Sequence, residues 1–147
     1  MPNNNTCSCS CNCNTENDDS SCVTNSAKTK VYACGGASNV GVISFELAKA
    51  LHQANHYQMG CTAGFLTGVF EIENKMQEEG NQDLMIDGCP IACLQKLFEQ
   101  NGIKGCKHII VTDFGINKEA TLDFDPGLIK QLAEKILLGK IDTNKEF

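Results

Sequence analysis

The stretch that decides the fold is "DLMIDGCPIACLQKLFEQ", residues 83–100. A short apolar run ends at Asp87, and apolar side chains then recur at helical spacing at Ile91, Leu94 and Phe98. An apolar run of this length before a glycine turn is typical of a buried strand, and the spacing after it is typical of a helix. The stretch therefore predicts a strand, a turn and a helix, which is the βα unit of an α/β protein.

The same unit recurs three more times along the chain. Strands are predicted at "KVYACGG", "HYQMGCTAG" and "KHIIVTDFG", each followed by apolar residues at helical spacing. Four such units predict a three-layer, Rossmann-like α/β domain with a mostly parallel four-stranded sheet. Right-handed crossovers place every strand-to-helix turn at one edge of the sheet. The strand order expected across the sheet is 2-1-3-4. The helix-marking residues are Val40, Ile43, Leu47, Leu51 and Ala54 in the first helix, Phe65, Val69, Ile72 and Met76 in the second, and Pro126, Leu128, Leu132 and Ile136 in the last.

Residues 1–27 differ in composition from the rest of the 147-residue chain. They are mostly Asn, Ser, Thr, Cys and acidic residues, and such a segment cannot bury enough apolar surface to offset the entropy of ordering it. We expect a disordered Cys/Asn-rich tail over 1–27 and an α/β domain over 28–147. The tract "CSCSCNCN", which begins at Cys7, has two open interpretations. It is a flexible segment that folds around a soft cation and hands metal to the domain, or a tail without a binding role.

Composition also limits the compartment and the partners. The N-terminal residues show no signal-peptide pattern, and no apolar run reaches the roughly 18 residues of a membrane span. We expect a cytoplasmic protein in a reducing compartment, where paired cysteines more often bind metal or do redox chemistry. The formal net charge of −6 and the scattered lysines argue against nucleic acid and anionic membrane as partners and favour a metal ion. No feature identifies a protein partner.

Four of the ten cysteines are predicted to meet at the carboxyl edge of the sheet. Cys34, Cys61 and Cys89 follow the first three strands, where open α/β proteins bind ligands. With Pro90 at the first helical position, Cys89 would be the N-cap and Cys93 would lie one turn further on the same helix face. Neighbouring strands are about 4.8 Å apart, which suits the roughly 3.8 Å between sulfurs around a tetrahedral zinc ion. We therefore expect a four-cysteine zinc site.

The segments that carry these cysteines resemble the DGC domain family, whose members are proposed to bind zinc and whose name is the tripeptide found here at residues 87–89. The resemblance runs from about Val31 to Lys118 and into the last helix. It is carried by "VYACGGASNVG", "GCTAG", "IDGCPIACLQKLFEQNGI" and "HIIVTDFGINK". The resemblance supports a metal site and supplies no reaction. The zinc ligands that it implies are Cys34, Cys61, Cys89 and Cys93.

Other interpretations of the same cysteines stay open. All four could be buried or free thiols without a ligand. A thiol enzyme would use Cys89 and Cys93 as a redox dithiol or as part of a metal-thiolate centre acting on a small substrate. A third alternative is a sensor whose partner reads zinc occupancy. In an enzyme, acid-base chemistry would rest on Asp87, Asp113 or water.

The remaining polar residues favour structural roles. "CGGASNVG" lacks the middle glycine of a phosphate-binding loop, so Gly35 and Gly36 are expected to form a tight turn and Ser38 or Asn39 to cap the helix. Asp87 is expected to stabilise its turn. The alternatives are a hydrogen bond from a backbone N–H of a neighbouring turn, a general-base role, or a role as fourth metal ligand if one thiol is absent.

The three histidines and Cys106 are expected to lie away from the cysteine edge. His52 and His56 are interpreted as solvated residues near a helix C-terminus rather than as a minor metal site. Cys106 and His108 are expected on the opposite edge, before the fourth strand.

Overall fold

The computed structural model describes residues 29–66, 83–103 and 105–139. The centre of the fold is one four-stranded sheet in the order β2-β1-β3-β4, and every neighbouring pair of strands is parallel. The strands are β1 (Lys30–Ala33), β2 (Gln58–Met59), β3 (Leu84–Asp87) and β4 (Lys107–Ile110). The predicted α/β class, parallel sheet and strand order 2-1-3-4 are confirmed.

Helices connect the strands and close the domain. A 3₁₀ helix at Val111–Phe114 directly follows β4. The helices are α1 (Asn39–Gln53), α2 (Thr62–Leu66), α3 (Cys93–Gln100) and α4 (Pro126–Leu137). Of the predicted second helix the structure describes α2, whereas positions 69, 72 and 76 and the predicted tail at 1–27 lie outside the described residues. Within the described ranges, no helix has the length and apolar character needed to cross a membrane.

The alternation of side chains along the strands divides the core into two clusters. In β3, Leu84 and Ile86 pack in one cluster with residues of α1 and α4, whereas Met85 packs in the other with Phe98 of α3. Tyr32 meets the Phe98 ring edge-on, with centroids 5.1 Å apart. Each fully buried Leu, Ile or Phe contributes about 1.5–3 kcal/mol. Helices therefore cover both faces of the sheet, as a three-layer fold requires.

The start of α1 is fixed by residues that directly follow β1. Gly35 has a φ of +57°, a left-handed conformation that favours glycine. The Ser38 side chain then accepts a hydrogen bond from the Gly41 backbone N–H (3.4 Å) and caps the helix. Both expectations for this loop are confirmed, and they bring the N-terminus of α1 to the carboxyl edge of the sheet.

Candidate functional site

A cleft of about 190 Å³ lies at the carboxyl edge of the sheet. Three of the four predicted cysteines line it: Cys34 follows β1, Cys89 follows β3, and Cys93 begins α3. The first residues of α1 and the side chain of Lys118 complete its wall. The structure thus brings three thiols, one lysine and a helix N-terminus to one small concave surface.

Cys34 is held by contacts to both its backbone and its sulfur. Its N–H donates to the Ile86 carbonyl (3.0 Å), and the Gly88 N–H donates to the Cys34 Sγ (3.3 Å). The same sulfur lies 3.4 Å from the Ser44 hydroxyl, which donates to the Gly41 carbonyl at 2.7 Å. Because the single hydroxyl proton of Ser44 is used in that bond, a protonated Cys34 donates to Ser44. The sulfur position is therefore determined by neighbours on two different elements.

Gly88 allows the turn after β3 to approach the start of α1. A Cβ atom at this position would lie 2.9 Å from the backbone carbonyl carbon and oxygen of Val40 and 3.0 Å from the Gly41 nitrogen. These are backbone atoms of a helix and cannot move aside cheaply. Glycine between Asp87 and Cys89 therefore sets Cys89 against the first turn of α1.

Lys118 contacts Cys89, and sequence reasoning missed it. Its ammonium donates to the Cys89 Sγ at 3.4 Å. The residues on either side of the lysine are bound by the buried side chain of Asn39, whose Nδ2 donates to the Asn117 carbonyl (2.9 Å) and whose Oδ1 accepts the Glu119 N–H (2.8 Å). Asn39 and Lys118 both lie in segments that carry the family resemblance, "ASNVG" and "GINK". Nothing in the spacing of these segments indicates that the two residues are neighbours in space.

The helix α3 begins later than predicted. Its first residue is Cys93, and its N-cap is Ala92, which has a left-handed conformation (φ 52°, ψ 52°). Pro90 and Ile91 lie in a turn closed by a hydrogen bond from the Ala92 N–H to the Cys89 carbonyl (3.0 Å), and Ile91 is 53% exposed. The prediction that Cys89 caps the helix and that Cys93 follows one helical turn later is therefore wrong.

Asp87 explains where α3 begins. Its two carboxylate oxygens accept the backbone N–H groups of Leu94 (2.9 Å) and Gln95 (3.1 Å), so this buried side chain caps the helix from the end of β3. The Asp87 Oδ2 also bonds the His108 Nε2 at 2.9 Å. His108 lies within β4, beside Met85 of β3, and its ring reaches Asp87 at the carboxyl end of β3, so the expectation that it precedes the strand on the opposite edge is wrong. Together Asp87 and His108 support the backbone that carries Cys93.

Cys61 is separate from the other three cysteines. It follows β2, is exposed, does not line the cleft, and accepts a hydrogen bond from the Gly64 N–H at 3.3 Å. The Thr62 hydroxyl donates to the Ala33 carbonyl (3.3 Å), which ties this turn to the end of β1 beside Cys34. In the described part of the chain, no three His, Cys, Asp or Glu side chains are close enough together to hold a metal ion. The thiol donor set suits zinc, but this conformation does not gather the sulfurs at ligand distance.

Residues 30–136 match the DGC domain, which covers most of the chain. The chain belongs to the DGC domain family. The cleft with its three thiols lies wholly within the matched region of this DGC domain.

The chain is also similar to a protein named the anaerobic and virulence modulator AnvM, from Pseudomonas aeruginosa. The two are 31% identical over 88 residues, which cover 60% of this chain and 66% of that protein. The chain thus spans slightly less than two thirds of the length of this relative. No solved structure matches the chain.

Cys106, His52 and His56 of this DGC domain lie outside the cleft. Cys106 packs in the apolar cluster between the sheet and α3, where burial, together with the Asp83 carboxylate, raises the pKa of its thiol to about 12. The His52 Nδ1 accepts the Met59 N–H (3.2 Å) and so links the end of α1 to β2. His56 is exposed. None of these side chains lines the cleft.

Proposed function

We propose that this DGC domain binds zinc at the carboxyl edge of its sheet, through Cys34, Cys89 and Cys93, with Cys61 as the fourth ligand. The observation that carries the proposal is the convergence of three thiols on one cleft. Four cysteine sulfurs form one of the usual kinds of closed zinc site, in which the metal stabilises the fold.

Contacts at Cys34 and at Asp87 support thiolate ligands in this cleft. The Gly88 N–H already points at the Cys34 sulfur, and donors of this kind stabilise metal-bound thiolates. Asp87 holds the first turn of α3 and so limits the positions that the Cys93 sulfur can reach. Both contacts would remain when a metal binds, because neither uses a ligand atom as its donor.

Cys61 would join the site by a local movement. It stands at the end of the strand next to β1, and its exposed side chain has room to rotate. Leaving its present position would break the hydrogen bond from Gly64, which is a modest cost of about 1 kcal/mol. We therefore expect Cys61 to contribute less to metal affinity than the three cysteines that line the cleft.

The test is metal content by mass spectrometry on the full chain purified without oxygen. A parent variant with the five tail cysteines at 7, 9, 11, 13 and 22 changed to Ser isolates the domain site. We expect about one zinc per chain in this parent. Zinc should be lost in the single Ser variants of Cys34, Cys89 and Cys93 and weakened in Cys61→Ser.

Cys106→Ser is the matched control, because its thiol is buried in apolar surroundings away from the cleft. Full zinc content in this control, together with loss in the cleft variants, would support the proposal. A metal-free parent, or equal zinc in the Cys89→Ser variant, would refute it. The unmodified chain measured in parallel reports whether the tail cysteines bind metal as well.

One observation favours a second candidate, thiol chemistry at Cys89. An ammonium 3.4 Å from a sulfur interacts favourably with negative charge on it, and the thiolate is the nucleophilic form of cysteine. Cys89 and Cys93 would then form a reversible disulfide that zinc suppresses. A regulatory use of either chemistry would suit the name of the relative, which is that of a modulator. A parent that is metal-free and forms this disulfide under mild oxidant would favour the second candidate.

A further inference from the structure

Zinc held by four thiolates gives the proposed site an excess of negative charge. Each cysteine ligand gives up its proton, so the double positive charge of the ion meets four negative sulfurs. The buried side chain of Asp87 also lines the cleft, and the whole chain carries a formal net charge of −6. Negative charge confined to a small cleft is costly unless cations or hydrogen-bond donors lie close to it.

Lys118 is the one cationic side chain among the described residues that line the cleft. Its ammonium donates to the Cys89 sulfur at 3.4 Å. A sulfur that binds zinc keeps lone pairs that accept hydrogen bonds, so this contact can persist beside the metal, as the contact from the Gly88 N–H to Cys34 can. A charged donor on a charged acceptor makes one of the stronger kinds of hydrogen bond. Lys118 is therefore placed to offset part of the excess charge.

The position of Lys118 is built into the fold. The Asn39 side chain binds the residue before the lysine and the residue after it, and only 7% of Asn39 is exposed. A second contact, between the Asn39 N–H and the Glu119 carbonyl (3.4 Å), repeats the link on the backbone. The loop is thus anchored on α1, at a place from which the ammonium reaches Cys89. The lysine side chain itself is exposed, so solvent limits the size of its effect.

We infer that Lys118 is the counter-cation of the zinc site, a role that rests on the proposed function and adds a residue to it. The lysine does not bind the metal. Its ammonium stays on the Cys89 sulfur when zinc binds, and the negatively charged sulfur then interacts favourably with both cations. Without this ammonium, the excess negative charge of the loaded site has one partner fewer. The lysine therefore raises the affinity for zinc.

The test is zinc affinity by competition with a chromogenic chelator, using the full chain with the five tail cysteines changed to Ser. Lys118→Met removes the charge at similar length, and Lys118→Arg keeps a charged donor. Lys130→Met removes an exposed lysine of α4 that does not line the cleft, so it controls for net charge. We expect Lys118→Met to bind zinc about fivefold more weakly than the parent, which is the effect of an exposed charge pair.

The salt dependence of this difference separates the charge of Lys118 from a structural effect of the substitution. Mobile ions screen an exposed ammonium over about 10 Å at 0.1 M salt and over about 3 Å at 1 M. Sodium nitrate is a suitable salt because nitrate binds zinc weakly. We expect the difference between Lys118→Met and the parent to fall below about twofold at the higher concentration. A loss of affinity caused by a distorted loop would not recover in this way.

The outcomes separate the inference from the proposed function. Weaker zinc binding by Lys118→Met that recovers in salt, with Lys118→Arg and Lys130→Met close to the parent, supports the counter-cation. Equal or tighter binding by Lys118→Met, a loss that salt does not change, or a loss of the same size in Lys130→Met or Lys118→Arg overturns it and leaves the zinc site standing. If the parent binds no zinc, the proposed function fails and the counter-cation fails with it.

Discussion

The two edges of the sheet surround cysteine with opposite environments. At the carboxyl edge, Cys34 and Cys89 accept hydrogen bonds from a backbone N–H and from the Lys118 ammonium. At the amino edge, Cys106 directly precedes β4, packs among apolar side chains, and lies near the Asp83 carboxylate. The first environment offers hydrogen-bond donors to the sulfur, whereas the second buries the thiol and raises its pKa.

This contrast follows from the parallel architecture. Every β-to-α turn is at one edge, where helix N-termini present N–H groups and where the strand ends leave a crevice. The strands begin at the other edge, where the chain enters the core and where a cysteine is simply a small buried side chain. The strand end at which a cysteine lies is therefore more informative about a metal site than the number of cysteines in the chain.

The largest expected effect is on the chemical reactivity of Cys106. Burial raises the pKa of this thiol from its ordinary value of 9.0 to about 12, so at about pH 8 its thiolate is roughly a thousandfold scarcer than in the unfolded chain. Its alkylation by iodoacetamide should slow by a similar factor relative to the same chain in denaturant. Time-resolved peptide mapping gives both rates. Native rates at Cys106 equal to those at Cys34 and Cys89 would break the contrast between the edges.

The same burial predicts a loss of stability in alkali. Desolvation, with smaller contributions from Asp83 and Cys106, also raises the pKa of Tyr32 on this face of the sheet. Because both groups keep their protons in the folded state when the unfolded chain has lost them, stability falls as the pH rises from about 9 toward 12. Urea unfolding at about pH 7.5 and 10 measures the difference. Cys106→Ala should reduce it, and equal stability at both pH values would contradict the effect.

The elements that the sequence predicted correctly are those that depend on local pattern. The length of each apolar run identified the strands, and the helical spacing of residues such as Leu47 and Leu132 identified the faces of α1 and α4 that are buried. Ser38 could be recognised as a cap because its partner is three residues away. The cysteines could be assigned to strand ends for the same reason.

The features that escaped prediction depend on contacts between distant residues. The start of α3 is set by Asp87, which binds N–H groups seven and eight residues further along the chain. Lys118 is 29 residues from Cys89, and Asn39 reaches its loop across 78 and 80 residues. Ile91 fits a helical pattern, yet it is exposed, because the cap by Asp87 starts the helix two residues later. Spacing alone does not contain these pairings.

The next largest effect is expected at Asp87, the residue that supports the cysteine edge from within. Asp87→Ala leaves two helical N–H groups and His108 without their buried partner and should cost about 3 kcal/mol of unfolding free energy. Asp125→Ala is the control, since it removes an exposed cap of α4 and should cost about 1 kcal/mol. Urea unfolding measures both. Equal losses in the two variants would mean that the buried network is no stronger than an ordinary cap.

The smallest of these effects is expected at Asn39. It tests most directly how the carboxyl edge of the sheet differs from the amino edge. Asn39→Ala removes the side chain that binds both neighbours of Lys118 and should cost about 2 kcal/mol, because two partly buried hydrogen bonds to the loop backbone are lost. Asn39→Asp keeps the oxygen that accepts the Glu119 N–H and should cost less. Iodoacetate is an anion and iodoacetamide is neutral, so the ratio of their alkylation rates at Cys89 reports the positive charge of Lys118. If the loop positions the ammonium, Asn39→Ala should lower this ratio, although neither Cys89 nor Lys118 has changed. If the ratio is unchanged in a destabilised Asn39→Ala protein, Lys118 contacts Cys89 without the hydrogen bonds from Asn39. The positive charge near Cys89 would then depend on the lysine side chain alone and not on how its loop is anchored.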